Sequence, residues 1–178
     1  MLFFALPSCN KDAGKSYTLA LNTGYVTITI PPTAPAILDT FGSGITNYNI
    51  DSFIKAGTGN SSLGLGNISS VKLASCVLTM ISGANYTSPT VSNSFGNFGS
   101  CTALFSSNTN TTPYEIGVAH NPATYTTTLT MPADSTTELK SFFAGSQFKC
   151  SMIGDLGIAT TDTIKCTVQF LFNMYIQG

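Results

Sequence analysis

From Ile164 to Ile176 every second residue is apolar: Ile164, Cys166, Val168, Phe170, Phe172, Met174 and Ile176. An extended chain sends successive side chains to opposite faces, so this stretch is a strand with one face buried from end to end. A helix would scatter the same residues around its circumference. Shorter stretches repeat the pattern. Val26, Ile28 and Ile30 alternate with Thr27 and Thr29, Phe148, Cys150 and Met152 share a face, and Tyr125, Thr127, Leu129 and Met131 alternate with three threonines. Ile68 to Ile81 reads as a strand buried on both faces, with Val71, Leu73 and Val77 on one side and Leu78 and Met80 flanking Cys76 on the other.

Between these stretches lie turn-formers. Asn22-Thr23-Gly24 turns or bulges the chain, Pro31-Pro32 ends a strand, and 57–67 and 82–99 are rich in Gly, Ser and Asn. Residues 82–99 read as a long surface loop or a short edge strand. Two short helices are expected. Asn49 caps the first, with Ile50, Phe53 and Ile54 at helical spacing and Gly57 closing it. The second opens on the capping box Ser135-Thr136-Thr137-Glu138 and carries Leu139, Phe142 and Phe143 to Gly145. The expected fold class is all-β: an immunoglobulin-like antiparallel β-sandwich of seven to eight strands with one or two short helices, spanning 17–178 as one domain.

Charged residues are 8% of the chain, so solubility rests on Thr, Ser and Asn. All seven basic residues are lysine, with no arginine and no basic cluster, and the net charge is −1. Nucleic-acid binding needs several cations on the phosphates and is therefore not expected. No apolar run approaches the roughly 20 residues of a spanning helix.

The N-terminal Met1-Leu2-Phe3-Phe4-Ala5-Leu6-Pro7-Ser8-Cys9 places a small residue and then cysteine after an apolar run. It resembles a bacterial lipobox, although only eight residues precede Cys9 and none is basic. On that reading 1–16 is a truncated signal and tether, Cys9 is lipidated, and the domain is exported to the outer membrane, cell surface or periplasm. Four further cysteines, Cys76, Cys101, Cys150 and Cys166, form an even set suited to two disulfides in an exported domain. Three pairings are open. Cys150–Cys166 and Cys76–Cys101 are favoured, because each pair lies on neighbouring expected strands, with 148–153 and 164–176 joined as a hairpin.

The Val26-to-Pro31 strand, the Ile68-to-Leu73 strand, the capped segment ending in Phe142-Phe143 and the last hairpin, behind Cys9-Asn10-Lys11-Asp12, resemble small Bacteroidetes lipoproteins. Those have immunoglobulin-like or late-embryogenesis-like sandwiches. The resemblance implies display on the outer leaflet and no catalytic residues.

Chemistry-bearing motifs are absent from the sequence: no GxSxG, no HExxH, no CxxC, no phosphate loop. His120 is the single histidine and sits in a turn context. The carboxylates are dispersed; a glycosidase needs two facing across a cleft, and nothing in the sequence singles out a pair such as Glu115 and Asp155. No enzyme activity, cofactor or metal is expected. The leading expectation is a lipid-anchored binding or structural sandwich. One alternative is a subunit that polymerises by strand addition, in which Met1 to Leu6 pairs with the open edge of another copy. The other is a surface-glycan-binding module using Tyr86, Phe95 and Phe98.

Overall fold

The computed structural model describes residues 14–178 apart from 37, 89–90 and 123–124. The long alternating segment forms β11 (Ile164–Gln177), the axis of the first sheet. Two strands run end to end along one side of it. β1 (Ser16–Asn22) pairs antiparallel with 171–177 and β2 (Val26–Ile30) with 164–168. The link between them is a kink, not a hairpin. Gly24 takes φ 70°, Asn22 Oδ1 accepts from the Gly24 N–H at 2.8 Å, and the Thr23 N–H still donates to the Phe170 carbonyl. On the other side of β11 lies β4 (Ile68–Ser82), and beyond it the four-residue β9 (Thr128–Met131).

The second sheet has the order β3 (Leu38–Asn47), β10 (Gln147–Leu156), β7 (Phe98–Ser107) and β8 (Tyr114–His120), again antiparallel throughout. A hairpin of β5 (Asn85–Ser88) and β6 (Val91–Asn93) stands apart from both. One α-helix, α1 (Ile50–Thr58), joins β3 to β4, and short 3-10 turns occupy Leu65–Asn67, Phe95–Asn97 and Lys140–Ala144.

The expectation of an all-β antiparallel two-sheet sandwich holds. The connectivity is not that of an immunoglobulin domain, in which the first strand lies beside the second. With β1 and β2 counted as one interrupted strand, eight strands fill two four-stranded sheets, and the first pairs with the last. Apart from β7 to β8, each step between these strands crosses to the opposite sheet. Two interlocked Greek keys of this kind make a jelly roll.

The expected disulfides are not formed, and the crossing connections remove the neighbouring-strand ground on which they were expected. β10 and β11 are not a hairpin but belong to different sheets. Cys150 has Gly44 and Phe105 as ladder neighbours, whereas Cys166 has Ile28 and Met80. Cys76 on β4 and Cys101 on β7 are likewise divided between the sheets. All four are buried as free thiols. They behave as small hydrophobes in the sandwich core.

Bulges explain the two-faced appearance of β4. Its register against β11 slips so that Leu171 faces Ser75 and Phe172 faces Leu73, leaving Ala74 as an extra residue. Parity reverses there, and Val71, Leu73, Cys76, Leu78 and Met80 all point inward. The opposite side of the sheet carries a threonine row beside the half-buried Val77 and the exposed Ile81. Thr27, Thr167, Thr79 and Thr128 lie side by side across β2, β11, β4 and β9.

Aromatic rings fill the two ends of the core. At one end Phe105 has the rings of Phe142, Phe143, Phe148, Phe170 and Phe172 at centroid distances of 5.3 to 5.9 Å. At the other, Phe98 packs against Phe41 at 6.0 Å and Phe95 at 6.4 Å. Gly154 on β10 makes the second cluster possible, since a Cβ there would come within 2.5 Å of the Phe98 ring and 2.9 Å of Phe41. Glycines also let the sheets meet at their margins. A Cβ on Gly44 of β3 would overlap Val26 of β2, and one on Gly117 of β8 would sit 3.0 Å from Met131 Cβ on β9.

Candidate functional site

The expected site residues are not brought together. Cys9, with the lipobox and tether around it, lies outside the described residues. Phe95 and Phe98 are buried core rings, so they cannot stack on a sugar, and the Tyr86 side chain lies outside what is described. His120 ends β8, exposed, opposite Ser100. Glu115 and Asp155 sit on β8 and β10 with β7 between them, one opposite Leu104 and the other opposite Ser100. They do not face each other across a cleft. Among the described residues no group of three His, Cys, Asp or Glu could hold a metal ion.

What remains is the treatment of the sheet edges. The outer edge of β4 beyond β9 is closed by side-chain and loop groups. Glu138 accepts from Ser70 Oγ at 2.6 Å and from the Val71 N–H at 2.8 Å, while the Leu139 N–H donates to the Val71 carbonyl. Lys72 Nζ donates to the Thr136 carbonyl at 2.7 Å and lies 3.6 Å from the Glu138 carboxylate. Burial raises the Glu138 pKa, but the donors from Ser70, Val71 and Lys140 and the charge of Lys72 outweigh it, and the net direction is down. The expected capping box is absent because its parts serve this clamp. Asp134, not Ser135, makes the turn by accepting from the Thr136 and Thr137 amides and hydroxyls, and it too is pushed well below the usual carboxylate range, first by the Thr136 hydroxyl. Only the Lys140–Ala144 3-10 turn follows.

The edge of the second sheet is treated differently. β3 is ten residues long and, among the described strands, pairs only with β10. It carries one charged residue, Asp39, and neither lysine nor proline. Its solvent face presents Leu38 at 71% and Ile45 at 61% exposure. No strand is expected from the sequence over this stretch, whose apolar alternation Gly42 and Gly44 interrupt. They are needed where β3 passes β2: Gly42 takes φ 47° and would place a Cβ 3.2 Å from Thr29 N.

At the α1 end of this sheet lies an open groove of about 650 Å³. It is lined by the polar Asn47, Asn49, Asp51, Asn108 and Ser146 together with Tyr48, Ile50, Leu65 and Ala144. Asn49 caps α1 as expected, accepting from the Ser52 N–H at 2.9 Å, although the helix closes at Gly59 (φ 67°), not Gly57. Asn108 is held by its Oδ1, which accepts from the Ser146 and Gln147 amides at 3.2 and 3.3 Å. Tyr48 is half-buried between Phe53 and Phe148, at 5.8 and 6.5 Å, and burial raises its phenol pKa.

No protein-family model and no curated protein sequence matches the chain. Among solved structures, a chain of the infectious bursal disease virus Gx strain is similar at 10% identity and TM-score 0.42, over 93% of this chain and 33% of that one. A chain in the nora virus structure is similar at 12% identity and TM-score 0.30, over 91% and 61%. The capsid of Ralstonia phage GP4 gives 13% identity and TM-score 0.30, over 99% and 92%. The chain thus spans about a third of the first of these proteins and three-fifths of the second. None of these overlaps is close enough to carry an inference about activity.

Proposed function

We propose that this protein is a non-enzymatic structural subunit that assembles with copies of itself. The observation that carries this reading is the β3 edge: ten residues, one charge, and two large aliphatic side chains mostly in solvent. Exposed strand edges pair with other chains unless lysine, proline, a covering segment or extreme shortness prevents it. The same molecule guards β4 with Glu138 and Lys72 and keeps β9 to four residues, whereas β3 is approached by β2 around Gly42 and Gly44 and leaves Leu38 and Ile45 in solvent on either side. Jelly rolls serve as coat, lectin and enzyme scaffolds, so the fold alone selects none of these. In the strand-addition form of the proposal, Met1 to Leu6 of one copy pairs along the edge of the next. Replacing Leu38 and Ile45 together by lysine is expected to abolish concentration-dependent assembly in sedimentation velocity while leaving the melting temperature of the subunit nearly unchanged. Unaltered assembly in that variant would exclude the β3 edge as the contact.

A second reading, favoured by the sequence Cys9-Asn10-Lys11-Asp12, is a lipid-anchored surface protein of the Bacteroidetes type. It loses the support of disulfides, because the cysteines are free thiols. Intact mass separates the two: a diacylglyceryl Cys9 with 1–8 removed supports the anchor and eliminates Met1 to Leu6 as a donor strand, whereas an intact, unmodified N-terminus rules the anchor out.

A further inference from the structure

We infer that the groove at the α1 end of the second sheet binds a neutral polyhydroxyl ligand, in chemical class a short glycan segment. The inference does not depend on self-assembly. The groove's volume of about 650 Å³ falls within the range of small-molecule sites. Among the described residues no lysine or histidine lines it, so a phosphate or carboxylate ligand finds no countercharge from them. Its one carboxylate, Asp51, is already paired with Lys55 at 2.5 Å and is not an open cation site.

What the walls offer instead is side-chain amide and hydroxyl. An amide donates from Nδ2 and accepts at Oδ1, which suits a hydroxyl that does both. Asn49 and Asn108 each have Oδ1 engaged by backbone N–H groups, which fixes the orientation of the amide and leaves both Nδ2 groups without a partner among the described residues. Two lining amides held in place by the fold are preorganised, so binding costs little side-chain ordering. Asn47 and Ser146 add exposed polar groups between them, and the Tyr48 ring, held by Phe53 and Phe148, forms a rigid wall. A second depression of about 240 Å³, lined by Ile45, Thr111, Gln147 and Lys149 among others, shares Asn108 with the groove; the proposed site is the first groove alone.

This site differs from the aromatic one expected from Tyr86, Phe95 and Phe98. It shares no residue with it and uses fixed amides in place of stacked rings. Isothermal titration calorimetry of the full chain with maltotriose, cellotriose and N,N′,N″-triacetylchitotriose tests it, with inorganic phosphate as the charged comparison. At least one trisaccharide is expected to bind with a dissociation constant near or below about 1 mM, and phosphate is not. Asn49→Ser keeps a capping oxygen for α1 but removes the amide donor. This change and Asn47→Ala are each expected to weaken binding about tenfold, equivalent to about 1.4 kcal/mol, with an unchanged melting temperature. Absence of binding by all three saccharides would overturn the proposal. So would preference for phosphate, or saccharide binding indifferent to both substitutions. Each of these outcomes leaves the assembly proposal standing, because its readout is subunit mass.

Discussion

At the scale of single residues, the most consequential are those that let two sheets approach. Gly154 faces the Phe98 and Phe41 rings with no space for a methyl group. Gly154→Ala is therefore expected to cost about 1–3 kcal/mol by overpacking, measured as a lowered urea midpoint. Gly66→Ala, where a Cβ would meet nothing within 4 Å, is expected to change stability by less than about 0.5 kcal/mol. The cysteines make a second residue-scale prediction. Burial pushes the Cys76, Cys101 and Cys166 thiols up to about 12 and raises that of Cys150 as well. A thiol held protonated and out of solvent does not attack a disulfide reagent. All four are expected to be silent to Ellman's reagent in the native protein and reactive in denaturant. Reductant is expected to leave the melting temperature unchanged.

These same residues show where sequence stops being informative. Strand parity is local, so Cys150, Cys166 and their inward orientation were legible. Partnership is not local. Equal parity on consecutive strands is compatible with a hairpin or with a crossing to the other sheet, and no residue between Gly154 and Asp162 distinguishes them. Gly42 and Gly44 misled for the complementary reason. Their job is to clear a neighbour distant in sequence, and from sequence alone that requirement is indistinguishable from a loop.

At the scale of elements, the long strands were legible because one face is continuously buried, and the Asn49 cap because its chemistry is contained in four residues. The segment 134–145 was not. Its Ser-x-x-Glu spacing matches a helix start, yet Glu138 is drawn away to bond the amide of Val71, 67 residues distant. Tertiary hydrogen bonds outcompeted the local cap. The Glu138 clamp has a pH signature. A carboxylate whose folded-state pKa is depressed holds fewer protons folded than unfolded, so its stabilisation is complete above the ordinary value of 4.5 and is lost as pH falls through the lower folded value. The melting temperature is expected to fall on acidification below about pH 4.5. Glu138→Gln is expected to lower stability at neutral pH and to flatten that acid limb, leaving the part contributed by Asp134 and Asp51, whose pKa values are also lowered. A full-size acid limb in the variant would place the titration elsewhere.

Core elements differ in how much depends on them. Phe105 joins the rings of both sheets with those of the Lys140–Ala144 turn. Phe105→Ala is expected to cost about 3–5 kcal/mol, read from the urea midpoint, and to loosen that end of the sandwich first.

At the scale of the whole molecule, the jelly-roll connectivity places the first and last strands side by side in one sheet and leaves β3 at the margin of the other. The alternation along each strand made the sandwich predictable. The order of strands within it was not, because any arrangement that buries the same faces satisfies the same pattern. The outward surface divides in the same way. A threonine row crosses the first sheet, with Ile81 exposed near the end of β4, and Leu38 and Ile45 leave apolar surface on the edge of the second. Self-association is the central claim that follows. Sedimentation velocity of the full chain across a concentration series, beside the Leu38→Lys, Ile45→Lys double variant, tests it most directly. The account predicts mass rising with concentration for the unaltered chain and a monomer for the variant at every concentration. A monomeric unaltered chain throughout the series would contradict it.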